Sequence, residues 1–186
     1  MNFNDHSRLV GKHAFLSPSN YHWLNYDDQK LFARFTSAMA AQRGTDLHDL
    51  AHNCIKLGVK LPKTRTTINL YVNDGIGFRM SCEVGLFYSP NCFGHADNLS
   101  FRSNKLRISD LKTGISPASF QQLKIYAALF CLEYGVDPYS IDIELRIYQH
   151  NDVQLFIPNA EEIVEIMEKI VYFDQKVEKL KEEGAW

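Results

Sequence analysis

No C-x-x-C pair occurs in this chain, whose four cysteines stand apart at positions 54, 82, 92 and 131. That removes the usual signatures of a zinc knuckle or a dithiol redox centre, so buried reduced thiols are expected. Long apolar runs are missing too: nothing approaches the roughly 18–20 residues that cross a bilayer. The opening segment MNFNDHSRLVGKH lacks the apolar centre of a secretory signal, so a cytoplasmic protein without a membrane partner is expected. There is no internal repeat and no low-complexity tract, which excludes solenoids and disordered tails. Net basic charge is absent as well: 20 Lys+Arg stand against 22 Asp+Glu, for −2 overall. The average hides an asymmetry, because residues 151–186 carry nine acidic and four basic side chains and residues 1–150 thirteen and sixteen. A polyanion would meet the first 150 residues, not the acidic end.

What remains is a chain of 186 residues with 45% hydrophobic content, long enough for a proper core and short enough for one domain. After a turn-rich aromatic stretch, SPSNYHWLNYDD, apolar residues at Leu31, Phe32, Phe35 and Met39 predict a helix over 27–43, stopped at Gly44. A second helix is expected from Thr45 to a stop at Gly58, with Asp46 and Asp49 near its positive end. TTINLYV and FRMSCEVGLFY read as strands; CFGHADNLSFR and KLRISDLK, parted by Ser103 and Asn104, read as a β-hairpin. ASFQQLKIYAALFCLEYG reads as a buried helix, SIDIELRIYQ as a strand, and residues 159–182 as an acidic closing helix. The order predicts an α/β fold: N-terminal helices over 27–58, a sheet and helix over about 66–150, then the closing helix.

The hairpin carries the strongest chemical signal. A reversal centred between Ser103 and Asn104 sets Asp97 directly across from Asp110, whether the loop has two residues or four. Facing like charges destabilise a strand pair, and amid Leu99, Leu106 and Ile108 two carboxylates ask for a cation or a shared proton. Lys112 shares the Asp110 face if extension continues through it. Two aspartates and a lysine suit Mg²⁺ or Mn²⁺ and a polarised phosphate, and His48 on a covering helix is the natural further ligand. A misjudged register and a solvated strand-end lysine are the plain alternatives.

GTDLH at 44–48, GHAD at 94–97, DLKTG at 110–114 and QLKIY at 122–126 resemble, in order, the motifs of RecB-type nucleases of the PD-(D/E)xK superfamily. LSPSNYHWLN is similar to the opening of its phage and prophage members. The resemblance spans about residues 15–130. It implies a restriction-endonuclease-like core, a central mixed sheet flanked by helices. It also implies His48, Asp97, Asp110 and the Leu111 carbonyl as metal ligands, and Lys112 as the catalytic lysine. Gln122 and Tyr126, at the Q-x-x-x-Y positions, would support the site or touch DNA backbone; polar edging on a core helix is the other reading. Glu83 is a further candidate ligand, with a solvated strand residue as its alternative.

By the same resemblance the function is a metal-dependent deoxyribonuclease. An exonuclease acting in phage or mobile-element recombination or repair leads, leaving 3′ alcohol and 5′ phosphate ends. DNA would be its partner, with a recombination or helicase protein beside it, in the host cytoplasm if phage-encoded. The alternative is a nuclease-fold DNA-binding or regulatory protein without turnover. Some relatives, including CRISPR-adaptation nucleases, hold an iron-sulfur cluster through one cysteine before the motifs and three after. Cys54 and Cys82 fall between the first two motifs here, so no cluster is expected. HDLAH at 48–52 also departs from the zincin pattern H-E-x-x-H, with Asp49 in place of glutamate and no third ligand following. His52 is expected on the helix surface or behind the site, and His95 packed or solvated.

Overall fold

The computed structural model describes residues 5–184. Contacts divide the chain into two compact units, Met1–Thr45 and Asp46–Trp186. In the first unit, a 3₁₀ segment over Pro18–Asn25 precedes the start of a helix. The indole of Trp23 donates to the Ser17 carbonyl (3.0 Å), and Phe15 meets Phe35 edge to face.

The expected pair of helices is one, α1 (Asp28–Leu57). Glycine at position 44 costs a helix about 1 kcal/mol relative to alanine, too little to break a frame favoured on both sides. Thr45 does not cap a new helix: its hydroxyl donates back to the Ala41 carbonyl (3.3 Å). The outer ends match expectation. The Asp27 carboxylate accepts from the Lys30 amide (2.7 Å), and Gly58, at φ 68°, closes the helix with Val59 donating to the Cys54 carbonyl (2.8 Å).

TTINLYV is a second departure. Thr67–Gly77 forms helix α2, not a strand. Its β-favouring residues are overridden by tertiary burial, since Tyr71, Val72 and Gly75 are the buried positions and fall on one helical side. Asn73 fixes the helix by a two-way amide pair with the Leu61 backbone, 3.0 Å each way.

Five strands follow as one sheet in the order β1-β2-β3-β4-β5: β1 (Ser81–Ser89), β2 (Cys92–Arg102), β3 (Lys105–Leu111), β4 (Asp142–Gln149) and β5 (Asp152–Phe156). Only β3 and β4 run parallel, and their connection carries α3 (Gln121–Tyr134), as a parallel pair requires. The sequence reading lacks β5, which the two-residue turn His150–Asn151 sends back along β4. Both turn residues have positive φ, 52° and 60°, the type I′ geometry of a tight hairpin. Ser103 and Asn104, at 50° and 56°, make the same turn between β2 and β3. Helix α4 (Ala160–Glu182) is capped by Asn159, whose side chain accepts from the Glu162 amide (2.8 Å). The chain is therefore α/β, a five-strand mixed sheet flanked by helices.

Two apolar clusters hold the layers. One joins α3 and α4 to the sheet through Leu99, Ile108, Leu123, Leu129, Leu145 and Ile163. The other joins the end of α1 and α2 to it through Ala51, Ile55, Tyr71, Leu111 and Tyr148. All four cysteines are free, but only Cys54 and Cys131 are buried, while Cys82 and Cys92 are half-buried. Both of these stand at the start of a strand, β1 or β2. Among the described residues, no helix is long and apolar enough to cross a membrane.

Candidate functional site

The β2–β3 ladder runs from Arg102↔Lys105 to Asn98↔Ser109 in the register expected from the sequence, and it ends one position short of Asp97 and Asp110. At that point the strands part. Asp110 and Leu111 continue to pair with β4, opposite Ile147 and Tyr148, whereas the Asp97 carboxylate Oδ2 accepts the Leu111 amide (3.1 Å). Leu111 thus enters the site by its N–H; its carbonyl is the group the motif resemblance picks out.

On the other side, Cys82↔Asn98 and Val84↔Ala96 bracket Glu83 and Asp97 in the β1–β2 ladder. Across these two positions the strands exchange helix layers. Cys82 packs into the cluster of α1 and α2, and a Cβ on Gly75 of α2 would lie 3.2 Å from Asn98 Nδ2. Val84 and Ala96 belong to the cluster under α3 and α4. Residues i and i+2 of a regular strand share a face, so the crossing residue must break the alternation. Glu83 does so, with φ 52°, a left-handed conformation that costs a non-glycine residue about 1–2 kcal/mol. Strain of this kind persists where the surroundings demand it, often at functional sites. Two carboxylates therefore sit where the sheet changes layers.

Helix α1 brings one histidine to each. His48 Nδ1 lies 3.5 Å from Asp97 Oδ2, and His52 Nδ1 lies 3.0 Å from Glu83 Oε1. The rings stand 6.0 Å apart and near perpendicular, one turn apart on one face. His52 is buried, at 5% exposure, so of the two placements expected of it the helix surface falls and the one behind the site remains. The apolar packing of α1 on the sheet turns this face inward. Burial pushes the His52 pKa down, against the opposing pull of Glu83. Its Nδ1 faces the carboxylate, and its buried Nε2 has no protein partner among the described residues.

Asp110 is 4% exposed. Burial pushes its carboxyl pKa up, Asp97 adds to the rise, and Lys112 opposes both. The Lys112 ammonium donates to Asp110 Oδ1 (3.1 Å) and to Gln122 Oε1 (3.2 Å). It also stands 3.0 Å from Asp110 Oδ2, but that buried oxygen receives no directed hydrogen bond. Gln122 in turn donates from Nε2 to the Tyr126 hydroxyl (3.1 Å). An unbroken polar row runs Asp110–Lys112–Gln122–Tyr126.

Gly94 explains itself here, since a Cβ would meet Tyr126 Cε1 at 3.0 Å. Gly94→Val is expected to cost about 1–3 kcal/mol by overpacking, measured by urea unfolding. Tyr126→Ala should relieve most of that cost in the double variant. His95 is exposed, one of the two placements expected for it.

Among the described residues, no three His, Cys, Asp or Glu side chains are drawn together as a metal-ligand group. The site instead consists of the pairs His48–Asp97 and His52–Glu83 and the Asp110–Lys112 row. Tyr71 escaped the sequence reading because α2 looked like a strand. It is fully buried, and burial raises its pKa, with further rises from Asp97, Cys82, Asp110 and Glu83. No sequence pattern marks a lone buried tyrosine. Neither a protein-family model nor a curated protein matches this chain.

Proposed function

We propose that the chain is a metal-dependent deoxyribonuclease with a PD-(D/E)xK core, hydrolysing DNA phosphodiester bonds as an exonuclease. The observation that carries this reading is the Asp110–Lys112 pair: a buried carboxylate with one oxygen lacking a directed donor, beside a lysine held between Asp110 and Gln122.

The donor set fits a hard divalent cation. The carboxylate oxygens and the strand-end carbonyl suit Mg²⁺ or Mn²⁺, and a buried carboxylate without full hydrogen bonding calls for positive charge. Asp97, Asp110 and His48 would hold the ion, with the Leu111 carbonyl completing the set and Glu83 at its edge. When bound, it would polarise the phosphate and lower the pKa of the attacking water.

The protein's own groups do the rest. Lys112 orients the water and offsets charge developing on the phosphate. Gln122 holds the lysine by its acceptor oxygen, and Tyr126 fixes the rotamer of Gln122. The Leu111 amide orients Asp97. His52 stands against Glu83, with Nδ1 3.0 Å from Oε1. The Asp97 and Asp110 charges, which repel in the protein alone, are both accommodated once a cation lies between them.

A direct test incubates the protein with linear, circular and single-stranded DNA in Mg²⁺, Mn²⁺ or EDTA. Cleavage that requires the metal and spares circles is expected. No metal-dependent cleavage on any substrate would sink the enzyme reading and leave a nuclease-fold DNA-binding protein.

A further inference from the structure

A groove of about 310 Å³ opens beside the carboxylate site and shares Leu111 and Lys112 with it. Leu47 and Ile68 form an apolar wall over the buried Leu111, and Thr113 and His150 form the polar one, with Lys112 at its edge. No carboxylate lines it, although the adjoining site is built from carboxylates and the whole chain is net acidic. The local chemistry thus favours an anion that also carries an apolar face.

The walls are tied in place. The Thr67 amide at the start of α2 donates to Asn151 Oδ1 (3.0 Å), and the Asn151 amide donates back to Thr67 Oγ1 (2.8 Å). This reciprocal pair fastens the β4–β5 turn, which carries His150, to α2. Below it, Gln149 Nε2 donates to the carbonyls of Gly114 and Ser116 (2.7 and 2.8 Å), holding the segment that follows Lys112. A preformed groove binds without an ordering cost.

We propose that this groove seats one unpaired nucleotide of the substrate strand, next to the phosphodiester at Lys112. The base lies on Leu47 and Ile68, and the sugar-phosphate faces Thr113 and His150 beside Lys112. The size decides between strand forms. Ligand sites run upward from about 300 Å³, so this one holds a single nucleotide and not a base pair. An apolar wall is idle against a duplex backbone, whereas an unstacked base offers it an apolar face. The assignment rests on the nuclease reading and narrows it to single-stranded or frayed ends.

Binding in EDTA separates the groove from the chemistry. Fluorescence anisotropy of the full chain with a labelled single-stranded oligonucleotide, and with the blunt duplex of the same sequence, should show about tenfold tighter binding of the single strand. Thr113→Glu places a carboxylate in the groove at an exposed position and should weaken single-strand binding by about tenfold with an unchanged circular dichroism spectrum. His150→Asn, which suits the positive φ of the turn, should weaken it less. Unchanged binding by Thr113→Glu, equal binding of duplex, or no single-strand binding would overturn the assignment. Single-strand binding that Thr113→Glu weakens supports it even if Mg²⁺ and Mn²⁺ bring no cleavage, the result that sinks the nuclease reading. Metal-dependent cleavage with a Thr113→Glu variant that binds normally does the reverse.

Discussion

Lys112→Ala is expected to lower metal-dependent DNA cleavage by about 10³-fold, or roughly 4 kcal/mol of barrier, while leaving the fold intact. The side chain is about a third exposed and is held by two acceptors, Asp110 Oδ1 and Gln122 Oε1. Its loss therefore leaves no large cavity, and the effect falls on the water and the phosphate. Asp110→Asn provides the matched comparison. Burial and the nearby Asp97 both push the Asp110 pKa up, so the ionised carboxylate opposes folding once the pH rises above the ordinary aspartate range. Removing that charge is expected to raise the urea midpoint of the metal-free protein at neutral pH and to abolish cleavage. A variant more stable than the parent yet inactive would identify a carboxylate kept for binding and not for packing. Loss of stability in Asp110→Asn would instead make the Asp110–Lys112 contact structural.

His48→Ala and His52→Ala are expected to fail in different ways. His48 faces Asp97 with its side chain over a quarter exposed, so truncation should cut cleavage about 10–100-fold, raise the Mg²⁺ requirement, and leave thermal stability nearly unchanged. His52 is buried against Glu83. Its loss opens a cavity and frees a strained glutamate, for an expected cost of about 2–3 kcal/mol in unfolding, with a smaller effect on metal affinity. Calorimetry of the two variants, with cleavage titrated against Mg²⁺, separates them. Equal loss of activity at equal stability would mean that both rings serve the ion directly.

The two histidines also show how far a linear reading reaches. Spacing of four residues placed them on one helix face, but not which of them faces the hairpin aspartate. That depends on how α1 packs on the sheet, a contact between residues some fifty positions apart. The hairpin was legible because its register is a local matter: Ser103 and Asn104 set the turn, and counting outward reaches Asp97 and Asp110 without knowing the rest of the fold. Lys112 followed by strand alternation, whereas Gln122 was marked only by the motif resemblance. The row joining Asp110, Lys112, Gln122 and Tyr126 needed α3 to return across β3.

Where local preference and burial disagreed, the local reading failed. TTINLYV at 66–72 has the composition of a strand, yet it is helical from Thr67 on, since burying Tyr71, Val72 and Gly75 on one side outweighs local preference. Gly44 looked like a stop, yet one unfavourable residue does not end a helix favoured on both sides. The left-handed Glu83 carried no signal at all.

By itself the sequence determined the elements and registers that depend on neighbours along the chain: the closing helix, the β2–β3 turn and the register of the hairpin that leads to the two aspartates. Only the tertiary structure decided which carboxylate each histidine meets, the exchange of helix layers at Glu83 and Asp97, and the groove beside Lys112. Those features arise from burial, and burial is settled among segments that only folding brings together.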